Sequence, residues 1–118
     1  MLRTQNSARI VRITEQTLKD KSISSENRLK YYAILSEKIA REGDREAREH
    51  MNSIREKMIK RAQFRNQQAI VSGSETQMER AWRLNNEVAE FIPSRRLQSE
   101  QKSLEKALQK KKGVTIGK

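Results

Sequence analysis

The sequence predicts an all-α protein of extended helices with little independent globular core. Three observations carry that expectation. Ala, Leu, Glu, Lys, Arg, Gln and Met dominate 118 residues that hold only one Pro and four Gly, a composition of strong helix formers. The least polar side chains recur at helical spacing over long stretches. The chain is 34% apolar and its aromatics reduce to Tyr31, Tyr32, Phe64, Trp82 and Phe91. Globular chains hold roughly 45–50% apolar residues with glycine counted, against about 37% here once the four glycines are added, so the core is expected to be thin and partner contacts to complete the fold. At this length one small domain is expected, without a second independent core.

Four segments follow from the punctuation. Residues 1–24 form a basic N-terminal helix and turn that ends in the hydroxyl cluster Ser22 to Ser25, suited to a turn and to capping the next helix. Its first fourteen residues hold Arg3, Arg9 and Arg12 with hydroxyls and no acid. That is the composition of a mitochondrial presequence, although a plain basic helix start is the simpler reading.

Residues 25–71 form the long amphipathic segment. Its least polar row runs Tyr32, Leu35, Ile39, Gly43, Ala47, Met51, Ile54, Met58, Ala62, eight steps averaging about 3.75 residues. The row drifts round the helix instead of holding the 3.5-residue seam of a coiled coil. A continuous or gently bent rod of roughly 70 Å is the expected form. In that rod Gly43 and Ala47 would mark close approach to a partner. The alternative is a helical hairpin, with Gly43 as a C-cap and Asp44 as the following N-cap.

Residues 72–92 open on Ser72-Gly73-Ser74, where Ser72 and Glu75 have capping-box spacing. The helix that follows carries Met78, Trp82, Asn85, Ala89 and Ile92 on one face and Leu84, Val88 and Phe91 beside it, the broadest apolar surface in the chain. Trp82 is expected in the local core, the alternative being a partner-facing anchor. Pro93 ends that helix and Ser94 caps the next. Residues 93–118 then form a basic helix and tail with a narrow Leu97, Leu104, Leu108 seam, ending at Gly113 after Lys110, Lys111 and Lys112.

Charge points to the partner. Twenty-six Lys and Arg against 15 Asp and Glu give +11 and a sequence pI near 10.4, so the expected partner is a large acidic assembly. The cations concentrate in two places. Arg55, Lys57, Lys60, Arg61 and Arg65 face Glu56 alone for a local +4. Eight cations after Pro93, including Arg95, Arg96, Lys110, Lys111 and Lys112, face Glu100 and Glu105 for +6. These residues, with Trp82, are the candidate partner-binding set. The acids mostly sit three or four residues from a base, as with Glu37 and Arg41 or Glu56 and Lys60, and read as intrahelical pairs.

Catalysis is not expected. The chain has no Cys, a single His50 on a charged stretch, no Gly-rich phosphate loop and no Cys/His ligand set, so no enzyme, metal, cofactor or small-molecule substrate is anticipated. The absence of Cys also excludes a disulfide-stapled secreted mini-protein. No stretch approaches a membrane span. No RNA-recognition, helix-turn-helix or zinc-finger pattern is present, which leaves backbone-only phosphate binding open.

Two readings compete. The first is a non-enzymatic component lying along an acidic protein polymer such as a microtubule or axoneme, in a cytoskeletal or ciliary setting, because acids persist along the rod where a polyanion binder would discard them. The second is a structural subunit of a ribosome or mitoribosome, favoured by the pI, the basic tail and the presequence-like start. A coiled-coil scaffold ranks third, since Gly43 and the 3.75 spacing spoil a sustained heptad.

Overall fold

The computed structural model describes residues 4–113, and among them the regular structure is entirely helical: α1 Thr4–Lys19, α2 Ser25–Glu42, α3 Arg45–Ser72, α4 Glu75–Phe91 and α5 Arg95–Gly113. Met1 to Arg3, the start of the presequence-like stretch, and residues 114–118 at the basic tail lie outside the described residues.

Residues 25–71 are two helices, which corrects the expected rod to the hairpin alternative. The reason is local. Gly43 ends α2 with its amide donating to the Ile39 carbonyl at 2.8 Å, in extended backbone. Asp44 then caps α3, its Oδ1 accepting from the Ala47 amide at 2.8 Å, so the free ends of both helices are satisfied across two residues.

The chain also departs from the single-domain expectation. It divides after Glu56, inside α3, into two compact units. The first contains α1, α2 and the opening turns of α3. Ser24 caps α2 by accepting from the Asn27 amide at 3.2 Å. The preceding turn is closed by Asp20, which accepts from both the amide and the hydroxyl of Ser22, and these bonds hold its carboxyl below the usual range. The helices run up, down and up. The Asp44 amide donates to Ser7 Oγ at 3.3 Å and His50 meets Glu15 at 3.2 Å, so α1 and the start of α3 are parallel. Tyr32 lies near Arg55, while Ser36, Ile39 and Ala40 share a groove with Arg48, Met51 and Asn52, so α2 is antiparallel to α3. The buried set is Ser7, Val11 and Thr14 from α1, Leu29, Tyr32 and Ile39 from α2, and Ala47, Met51 and Ile54 from α3. Burial pushes the Tyr32 phenol up, against a Ser36 hydrogen bond and the Arg55 charge that pull it down.

The second unit repeats the plan with the rest of α3, α4 and α5. Ile59, Ala62, Asn66 and Ala69 are buried with Met78, Ala81, Asn85, Ile92, Leu97 and Leu104. Ile70, Trp82, Ala107 and Leu108 pack against the cluster of Ala69, Met78, Ala81 and Leu104. The buried row of α3 steps five residues from Ile54 to Ile59, a phase slip at the unit boundary.

The α3–α4 turn corrects the expected capping box. Ser74, not Ser72, caps α4, its Oγ accepting from the Gln77 amide at 3.2 Å. Ser72 closes the helix before it, donating to the Ala69 carbonyl at 2.6 Å and accepting from the Ser74 amide at 3.1 Å. Gly73 between them has φ +68, a left-handed conformation that disfavours any other residue, and space is open around it. The Pro93-Ser94 break falls where expected, with Ser94 Oγ accepting from the Leu97 amide at 3.3 Å.

Candidate docking surface

Charge is divided unevenly between the units. Residues 1–56 hold 12 Lys and Arg against 9 Asp and Glu, net +3, whereas residues 57–118 hold 14 against 6, net +8. Within the second unit the helices differ in sign. Residues 57–72 of α3 carry Lys57, Lys60, Arg61 and Arg65 with no acid. The α5 helix carries seven cations against Glu100 and Glu105, and α4 carries Arg80 and Arg83 against four glutamates. Most cations of the second unit therefore lie on α3 and α5.

The expected partner-binding residues fall into distinct environments. Lys57, Lys60 and Arg61 are exposed on α3, as are Arg95, Arg96, Lys110, Lys111 and Lys112 on α5. Lys112 turns toward α4, 3.1 Å from Glu79 and 3.5 Å from Glu75, and the Glu79 hydrogen bond raises its pKa above the ordinary lysine value. Arg55 is half-buried in the first unit, 3.6 Å from Glu56. Trp82 is half-buried in the α4–α5 seam, its Nε1 donating to Glu105 Oε2 at 3.1 Å while its ring covers the core cluster. That position serves folding of this unit.

Arg65 is the unusual cation. Its guanidinium is half-buried beside Arg61, Arg80 and Glu87, and desolvation lowers its pKa, with the two arginine charges adding to that and Glu87 opposing it. Its Nε and Nη2 are buried without a hydrogen-bond acceptor. An ionised donor held from water without a partner is destabilising. Arg65→Met keeps the length and drops the charge, and is expected to raise stability by up to about 1 kcal/mol, a small gain because solvent still screens the half-buried guanidinium. Thermal melting checks this, and a fall of Tm would mean that Arg65 holds a partner its geometry does not reveal.

Sequence reasoning found the basic cluster from Arg55 to Arg65 but not the apolar stripe that Phe64 forms with Val71 on the outward side of α3. Phe64 is 68% exposed and Val71 80% exposed, seven residues apart on one stripe with Lys57, Lys60, Arg61, Gln67 and Gln68, all exposed. The spacing 57, 64, 71 was the available signal. It is obscured because a second row, Ile59, Ala62, Asn66 and Ala69, occupies the same helix.

Elsewhere, a groove of about 250 Å³ between α1 and α3 is lined by Val11, Arg12, Glu15, Ala47 and His50 among others. Glu15 Oε2 lies 3.2 Å from His50 Nε2 at its rim, a pairing the sequence did not indicate. Among the described residues no group of three or more His, Cys, Asp or Glu converges as a metal site, and no helix is long and apolar enough to cross a membrane. No protein-family model matches the chain, and neither a curated protein nor a solved structure is similar to it.

Proposed function

We propose that this protein is a non-enzymatic structural component that docks on a large acidic protein polymer, of the microtubule or axoneme kind, through the basic surface of its second unit. The observation that carries the reading is the acid-free run of α3 from Lys57 to Ser72, in which exposed cations stand beside exposed Phe64 and Val71. A protein surface offers both carboxylates and apolar side chains to such a stripe. A cytoskeletal or ciliary setting follows from the nature of that partner. The apolar row of residues 32–62 no longer supports docking, because it is spent on the two cores.

A ribonucleoprotein role is the competing reading, favoured by the net +8 of residues 57–118, since phosphate binding follows cation number. Cosedimentation with microtubules beside a nonspecific RNA-binding assay separates the two. Replacing Lys57, Lys60 and Arg61 by Glu is expected to weaken microtubule association by about tenfold or more at low salt and far less at high salt, because exposed charges are screened over about 8–10 Å. Tight RNA binding without cosedimentation would replace this reading by the ribonucleoprotein one. Equal loss at every salt concentration would point to a packing defect.

A further inference from the structure

We infer that the outward stripe of α3 binds an acidic amphipathic helix whose apolar residues stand seven apart and whose carboxylates are gathered toward one end. This rests on the proposed docking to an acidic protein and names the element of the partner that would be held.

The stripe is separate from the core. Ile59, Ala62, Asn66 and Ala69 point inward, while Lys57, Lys60, Arg61, Phe64, Gln67, Gln68 and Val71 are all exposed on the same helix. Phe64 and Val71 lie two turns apart, roughly 10 Å along the axis, the repeat with which one helix meets another. An exposed phenylalanine and an exposed valine at that spacing form two anchor points.

Charge along the stripe sets the occupant. Its cations, Lys57, Lys60 and Arg61, are gathered in the first turns, whereas Gln67, Gln68 and Val71 in the later turns carry none. No acid lies on α3 after Glu56, so a carboxylate-bearing helix meets attraction at one end and neutral, apolar surface at the other. A nucleic acid strand is charged uniformly and would gain little from the second half, although Phe64 alone would serve as a stacking platform. The graded stripe fits a partner that is itself graded.

The test uses the full chain and three labelled probes in fluorescence anisotropy. One is a helical peptide with leucines at heptad spacing and glutamates confined to one half, the second a glutamate-rich peptide of equal charge without leucines, the third poly(U) RNA. The variant Phe64→Ser/Val71→Ser changes exposed positions only, and circular dichroism melting checks that its fold is retained. The wild type is expected to bind the amphipathic peptide about tenfold tighter than the control peptide, with the advantage persisting at high salt. The double substitution is expected to abolish that advantage while leaving control-peptide binding and its salt dependence unchanged.

Equal affinity for the two peptides, or an equal loss for both in the variant, would overturn the inference while leaving charge-driven docking in place. Failure of the wild type to bind either peptide would overturn both. Tighter binding to poly(U), weakened by Phe64→Ser and indifferent to Val71→Ser, would replace the partner helix by a stacked base.

Discussion

Asn85→Ala is expected to destabilise the second unit by about 3 kcal/mol, lowering its melting temperature by roughly 10–20 °C. Asn85 is fully buried and joins all three helices of the unit. Its Oδ1 accepts from Asn66 Nδ2 at 2.9 Å, and its Nδ2 donates to the Leu97 carbonyl at 3.0 Å and to Gln101 Oε1 at 2.7 Å. Removing the amide leaves those groups without their partner in a water-excluded site and opens a cavity in a small core. The network has no slack, because Asn66 Oδ1 and Gln101 Nε2 already lack a protein partner.

Asn66→Leu alone is expected to be less damaging than Asn85→Leu, since it strands only Asn85 Oδ1, whereas loss of the Asn85 amide strands Asn66 Nδ2, the Leu97 carbonyl and Gln101 Oε1 together. The pair changed together is expected to recover part of the loss, because two isosteric apolar groups replace a matched polar pair. Circular dichroism melts of the three variants form the cycle. Losses that simply add would show that the two amides do not act as a unit. The network also suits a register device: in an apolar core α4 could slide by a turn against its neighbours at small cost, whereas a slide here breaks every one of these bonds.

Asn85 stood on the expected apolar face of α4, between Trp82 and Ala89, so its burial was legible from spacing. Asn66 was not legible. An asparagine among Arg65, Gln67 and Gln68 has the polarity of a solvated helix face, and its burial depends on an amide 19 residues away in sequence. Helix boundaries were more readable because caps are local chemistry: Ser24 and Ser94 sit where hydroxyls suit helix starts, and each does cap one. Ser72 and Ser74 were harder to separate, since both precede the same helix and the positive φ of Gly73 decides which of them starts it. The row from Tyr32 to Ala62 was correct residue by residue for most of its length. It missed Ile59, because a five-residue step in the buried face appears only when one helix serves two cores.

Gly43→Ala is expected to destabilise the first unit by about 1–3 kcal/mol, with Gly43→Leu worse, and to do so before any effect on docking. The cause is steric, since φ −76 and ψ 161 are open to any residue. A Cβ on Gly43 would lie 2.7 Å from the Ile39 carbonyl oxygen and 2.8 Å from Ile39 Cγ2. The carbonyl is fixed, because it also accepts the Gly43 amide that ends α2. Relief therefore means opening the cap or shifting Asp44, whose amide reaches Ser7 Oγ and whose carboxylate starts α3. The close approach that a rod would offer to a partner is instead made within the chain, between Gly43 and the last turn of α2. Ile39→Leu, which removes Cγ2, is expected to recover only part of the loss in Gly43→Ala, since the oxygen stays at 2.7 Å. Amide exchange at Gly43, Ala47 and Arg48 reports the cap directly and should accelerate with the fall in melting temperature. Gly43→Leu with unchanged melting and exchange but weakened association with an acidic polymer would return Gly43 to the partner interface.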